Sequence, residues 1–317
     1  MSKSKSWLRL LKYDPIPILL KKAPLPIRYA TALQFNPQDT EFLETLRQAL
    51  IGYKPREHLL ATQLENGCWK QEKRYKIEER NRAMLFLQQL KNMTQLLDYG
   101  CTKNFTAIQR GIIALLKMQK PDGKFPLLLH HHSYALWLLA RYNMIGNPFV
   151  EKGYRWLAKR QRFDGGWLSP SMVHSGISLK TAKSGIWTTI FAFQAFSVHS
   201  RLRNSEVCQK AATFVLENYL EKNHTTLFPE ADAWNFLYTD YSDNGLFRGG
   251  TLRFIEALAP VAELHNHPNF KKAVNWLLDL QQKDGLFPAV AGKSREGDYS
   301  VTLRFVMALK EMDKAAG

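Results

Sequence analysis

Hydrophobic residues recur at three- and four-residue spacing along most of this chain, which predicts amphipathic helices. The spacing is clear in Ile108, Ile112, Leu115 and Leu116, in Tyr154, Trp156 and Leu157, and in Val274, Trp276, Leu277 and Leu280. Between these segments lie more uniformly apolar ones: 83–90, 134–140, 188–198, 251–258 and 302–309. A helix that is apolar nearly all round is a buried helix. An outer amphipathic helix followed by an inner apolar one, five times over, predicts two concentric helical layers in an all-α fold. The last two inner segments are near copies, Thr251-Leu-Arg-Phe-Ile-Glu-Ala-Leu258 and Thr302-Leu-Arg-Phe-Val-Met-Ala-Leu309.

The outer helices end in a repeated signature of glutamine, turn and aromatic. The copies are Gln63 to Gly67 and Trp69, Gln119 to Gly123 and Phe125, Gln161 to Gly165 and Trp167, and Gln282 to Gly285 and Phe287. A degenerate fifth copy is read at 223–229. Repetition at this period marks stacked supersecondary units. The glycine supplies a left-handed turn at no steric cost. The aromatic is expected to pack back on the helix just finished, and the glutamine to bond the exposed backbone of a neighbouring helix end.

Ahead of the repeats, five prolines between residues 13 and 37 preclude a long helix, and the segment reads as an extended arm. A helix then opens at Asp39-Thr40 and runs to Ile51, with Gly52 just past its end. This divides the chain into an N-terminal arm and helix, 1–54, and a repeat domain, 55–317.

Composition adds little: 45% hydrophobic and 23% charged residues allow an ordinary globular core. The net charge of +16 favours anionic partners: a small anionic ligand such as a phosphorylated one, an anionic membrane surface or nucleic acid. A merely basic, solvated surface is the alternative. Cys68, Cys101 and Cys208 are widely spaced, which argues against a zinc ribbon or disulfide framework and fits the cytoplasm. No apolar run approaches the ~20 residues of a membrane span, and the N-terminus is a poor secretion signal. The stretch from Trp7 to Lys12 suits either contact with a membrane surface or packing on the domain.

The four motif copies, in register with the helix pairs, resemble the terpenoid cyclase and protein prenyltransferase superfamily over roughly four-fifths of the chain. The arm from Asp14 to Tyr29 is similar to that of bacterial squalene cyclase-like and prenyltransferase-like proteins. The resemblance implies an α/α toroid, a ring with more pairs than the five counted, either open or closed by residues 38–51. The family's reactions are not implied in their usual form. Asp298-Tyr-Ser300-Val301-Thr302 keeps only the first acid of the cyclase DxDD motif. Thr251 is preceded by Phe247-Arg-Gly-Gly250, with no acid, and no Asp-x-Cys pair is present to hold zinc. Fold alone does not fix function, and the sequence names no cofactor.

In such a ring every outer-to-inner connection lies on one face. Two connections, 168–182 and 222–248, are longer than usual and read as binding loops or a lid. That rim gathers His130, His131, His132, His174 and Asp298, with Trp187, Trp234 and Tyr238 as ligand-binding aromatics. Arg253 and Arg304 hold equivalent places in the two copied helices and, with Arg248, suit an anion clamp. The alternative is that they are structural and paired with Glu256, Asp298 or loop carboxylates. Asp298, Asp240 and Asp243 are the candidate catalytic acids; Glu230 and Asp232 are a further pair. Surface ion pairing is the alternative for the loop acids. Consecutive histidines on a helix seldom share an ion, so no metal is assigned. Trp137, Trp187, Phe191, Phe193, Phe254 and Phe305 either line a central cavity or fill it. The reading is a small-molecule-binding toroid for an isoprenoid or other apolar anionic ligand. A polyanion- or membrane-surface-binding protein and a carbohydrate-active toroid stand as alternatives.

Overall fold

The proline-rich segment is helical, not extended. In a computed structural model, which describes residues 6–69, 78–222, 226 and 233–317, it forms α1 (Ile16–Lys22) and α2 (Leu25–Phe35). Pro15 and Pro24 hold the N-cap positions, and Pro17 and Pro26 sit in the first turns. Helical N–H groups have no intrahelical partner there, so proline removes nothing and its fixed φ favours the start. The prolines therefore divide the segment into two short helices. α3 (Thr40–Ile51) follows as read, with Asp39 accepting the Phe42 N–H and Gly52 at its end.

Five outer–inner pairs come next: α4 (Lys54–Ala61) with α5 (Glu78–Asp98), α6 (Thr106–Lys117) with α7 (Leu129–Arg141), α8 (Pro148–Ala158) with α9 (Ile186–Ser197), α10 (Glu206–Glu217) with α11 (Gly250–Leu258), and α12 (Pro268–Asp279) with α13 (Tyr299–Ala316). The inner helices touch in the order α5, α7, α9, α11, α13, and α2 packs between α13 and α5. The ring is thus closed by α2, part of the supposed arm. Residues 38–51 do not close it; α3 packs against α2 and α4. Every residue of α9 is buried, and one continuous core runs round the ring from Trp7 to Leu309.

The repeated signature is what joins neighbouring pairs. Each glutamine amide donates to the carbonyl of its own turn glycine and to a first-turn carbonyl of the next outer helix. Gln63 reaches Gly67 and Ala107, Gln119 reaches Gly123 and Phe149, and Gln161 reaches Gly165 and Val207. In the fourth copy the residue that does this is Gln281, one place before the glutamine read from sequence. It donates to Gly285 O and to Tyr13 O, and accepts from the Lys12 and Tyr13 N–H groups. The segment leading into α1 thus stands where the next repeat would be. The turn glycines have positive φ, and a Cβ on Gly67, Gly123 or Gly165 would lie 2.3, 2.6 or 2.6 Å from a carbonyl oxygen of the next outer helix. Trp69 and Trp167 donate back to Leu59 O and Leu157 O of the helix just finished.

Gln281→Ala leaves the Lys12 and Tyr13 backbone groups without these partners. It is expected to lower the unfolding free energy by about 1–3 kcal/mol, measured by urea denaturation. A smaller change would mean that the core alone holds the ring shut.

Candidate functional site

The rim loops form one layer. Val173 bridges Thr226, Phe236 bridges Val290, and the Leu237 and Tyr238 N–H groups donate to Ala289 O. Beside them β1 (Phe287–Pro288) pairs antiparallel with β2 (Gly297–Asp298). The second long loop then turns into the hole of the ring. Phe247, 6% exposed, packs on His131 (ring centroids 4.5 Å apart), His130 (5.0 Å), Tyr134 (5.5 Å) and Phe191 (5.6 Å). Leu246 is buried with it. The inner-helix aromatics Trp187, Phe191, Phe193, Phe254 and Phe305 are buried and fill space, whereas Trp137 is partly exposed. Trp234 stacks on Trp187 at 4.9 Å in the same core, so neither is free to meet a ligand.

The two equivalent arginines are spent inside the protein. Arg253 donates to Arg248 O at 2.6 Å, Leu246 O at 2.8 Å and Gln194 Oε1 at 3.1 Å, and lies 4.6 Å over the Phe191 ring. Burial, with Arg304 nearby, brings its pKa down to about 10. It clamps the loop's own carbonyls rather than an anion. Arg304 forms a two-pronged ion pair with Glu256, at 2.8 and 2.6 Å, and also donates to Leu237 O and Thr239 Oγ1. The anion clamp is therefore replaced by the structural pairing. Arg248 is exposed, lies over Phe236 and Tyr238, and donates to the Tyr238 hydroxyl.

The predicted acids are occupied too. Asp298 is the N-cap of α13 and accepts the Val301 N–H at 2.8 Å, a use that does not suit a catalytic acid. Asp240 accepts the Ser242 N–H within the loop, and Asp243 pairs with Lys91 of α5 at 2.7 Å. Both hold the loop in place. Glu230, Asp232 and the supposed fifth motif copy, apart from Thr226, lie outside the described residues. His174 is exposed in a rim turn.

The histidine triplet divides its roles. His132 Nδ1 accepts the Phe125 N–H while Nε2 donates to Gly153 O. Thr189 and Thr302 serve the equivalent motif aromatics, Trp167 and Phe287, in the same way. His132 is thus a structural member of the repeat. His130 and His131 face the bore, and His131 Nδ1 is buried with no hydrogen-bond partner. Burial lowers the pKa of all three, His130 to about 4 and His132 to about 3; His131, also beside His130, falls well below 6.5. No group of three or more candidate ligands among the described residues is placed to hold a metal ion.

One further titratable group has the loop's own Tyr241 as its hydrogen-bond partner. Asp98 is the last residue of α5, and its carboxylate keeps an open side to solvent. Desolvation by the surrounding protein raises its pKa, against the pull of the Tyr241 hydroxyl, Arg304 and Arg141. Tyr241, from the tip of the inserted loop, donates to Asp98 Oδ2 at 2.7 Å. Arg141 is in the last turn of α7, so this mouth lies opposite the one by which the loop comes in. Sequence reading overlooked Asp98 because it ended the inner segment at Leu90. A signal was present: a carboxylate in a helix's last turn opposes the macrodipole, and broken local rules cluster at functional sites.

No family model and no curated protein matches the sequence. Among solved structures the chain is similar to a glycosyl hydrolase family 88 protein from Bacteroides vulgatus, at 12% identity and TM-score 0.53, covering 98% of this chain and 99% of that one. It is also similar to a polysaccharide lyase, at 14% identity and TM-score 0.49 over 90% and 87% of the chains. Another is the type II terpene cyclase MstE from Scytonema, at 14% identity and TM-score 0.44 over 86% and 83%. At such identity the first likeness speaks for fold alone. That fold is the α/α toroid the repeats implied.

Proposed function

We infer that this toroid binds a small, hydroxyl-bearing, sugar-like ligand at the Asp98 mouth, with Asp98 as the proton donor. The observation that carries the reading is Asp98 itself. It is a solvent-touching carboxyl with a raised pKa, bonded by a phenol and set near Arg304 and Arg141. A carboxyl whose pKa is raised holds its proton to higher pH than an ordinary one and can give it to a leaving oxygen. A carboxyl with a shifted pKa and named charge partners is a candidate functional group. An isoprenoid needs an apolar cavity, and the bore's apolar volume is taken by Leu246, Phe247 and the inner-helix rings. This favours the carbohydrate alternative over the isoprenoid one. The family 88 hydrolase shares the fold, but at 12% identity it adds nothing about substrate.

The test is a titration, by ligand-observed NMR, of mono- and disaccharides against an isoprenoid diphosphate. A saccharide should bind, and Asp98→Asn should weaken that binding or abolish turnover. The variant should fold at least as well as the parent at neutral pH. A carboxyl with a raised folded pKa stabilises the fold below its unfolded pKa and loses that contribution as pH rises through the folded one. Binding of the diphosphate alone, unchanged in Asp98→Asn, would overturn the reading.

A further inference from the structure

The outer wall carries a second candidate site, unrelated to the bore. Along the exposed side of α8 and into the turn after it, Phe149, Lys152, Arg155, Lys159 and Phe163 follow each other at three- and four-residue spacing. Residues so spaced on a helix share one face. A groove of about 300 Å³ on this face is lined by Lys152, Arg155, Trp156, Lys159, Arg160 and Asp122. The Arg160 guanidinium stacks 3.6 Å over the Trp156 ring, and Trp156 donates to Asp122 at 3.0 Å, which fixes the floor. No carboxylate among the described residues forms an ion pair with Lys152, Arg155, Lys159 or Arg160.

Large apolar side chains stand free at both ends of this cationic groove. Phe149 is 56% exposed and Phe163 is 82% exposed, the highest of the exposed large hydrophobic residues. Both rings face solvent, so each can enter an apolar phase without unpacking the core. Cations between two exposed aromatic anchors, one on α8 and one in the turn after it, match a bilayer interface, where phosphate headgroups meet the charge and rings enter the acyl boundary. A nucleic-acid backbone would use the cations and leave the phenylalanines uncovered. The N-terminal stretch does not compete for this role, since Trp7 is buried against Phe35 at 5.2 Å. No helix among the described residues is long and apolar enough to cross a membrane.

We propose that the outer face of α8 docks the protein on an anionic phospholipid bilayer, with a lipid phosphate in the Lys152–Arg160 groove and Phe149 and Phe163 in the interface. The experiment is flotation of the full chain with phosphatidylcholine vesicles, with and without phosphatidylserine. Duplex DNA binding is measured in parallel. The protein should float only with the serine lipid. Arg155→Glu with Lys159→Glu should weaken that by about tenfold or more, as each basic side chain near a charged surface adds to attachment. Lys271→Glu with Lys272→Glu, an exposed pair on α12 without exposed aromatics, should leave it nearly unchanged. Phe163→Ser should weaken flotation and spare DNA binding. Equal flotation with both vesicles, an equal loss from the α12 pair, or unchanged flotation of Phe163→Ser would each overturn the proposal.

Discussion

Phe247→Ala is expected to cost about 3–5 kcal/mol of folding stability, the range for truncating a buried phenylalanine. Phe247 enters the hole from a loop and touches His130, His131, Tyr134 and Phe191, which come from two different inner helices. The loop is held independently of that ring. Arg253 grips Leu246 O and Arg248 O, Arg304 binds Leu237 O, and Asp243 pairs with Lys91. The alanine variant should therefore keep its loop and open a cavity lined by aromatic and imidazole rings. Such a cavity takes up small apolar molecules, so benzene should restore part of the lost stability by mass action. Phe163→Ala, at an 82% exposed position, is the comparison and should change stability by no more than about 0.5 kcal/mol. If the two variants unfold at the same urea concentration, Phe247 is not the plug.

Acidification from pH 7 to pH 5 is expected to destabilise the protein by about 2 kcal/mol for each of His130 and His132, with His131 acting in the same direction. The sign follows from proton counting. Burial holds the folded-state pKa of His130 at about 4 and of His132 at about 3, and that of His131 well below 6.5. The unfolded chain takes up protons from about pH 6.5. Between those limits the unfolded state binds more protons, so stability falls as pH falls and levels off only below the folded values. The chemical cause is clearest at His132, whose Nδ1 accepts a backbone N–H and has no room for a proton. Asp98 works the other way, since its raised pKa favours the protonated form in the folded state. The combined histidine effect is still a large fraction of a typical folding free energy of ~5–15 kcal/mol. Urea titrations at the two pH values measure it. His132→Gln should remove that residue's own share, about 2 kcal/mol, from the pH dependence, at some loss of stability at pH 7. Equal stability at pH 7 and pH 5 would count against neutral, buried imidazoles.

The repeat was legible because its parts are local. Asp-Gly turns, an aromatic two residues on and 3.6-residue periodicity are set by neighbours in sequence, and each copy confirms the others. Even so, the fourth glutamine was placed one residue late, at Gln282 instead of Gln281. Two adjacent glutamines look alike until the backbone of Tyr13, far away in sequence, selects one. The prolines misled for a related reason. Proline excludes a helix interior but favours a helix start, and only the ring's need for an inner helix between α13 and α5 shows which applies.

The candidate site was far less legible, for a physical reason. Arg253, Arg304 and Asp298 stand at the starts of inner helices, and Asp240 and Asp243 in the long loop, where the sequence suggests a ligand. Whether a charge is available depends on its partners, and Glu256, Lys91 and the carbonyls of Leu246 and Arg248 come from other elements. Asp98 became visible only when the loop tip brought Tyr241 to it across 143 positions of sequence. By itself the sequence determined the helix pairs and their order, because these rest on periodicity and turn chemistry within a few residues; the toroid followed from the resemblance that the motif copies carry. The tertiary structure decided that α2 closes the ring, that the chain plugs its own hole, and which ionisable groups remain free. Those outcomes depend on contacts between residues whose distance in sequence says nothing about their distance in space.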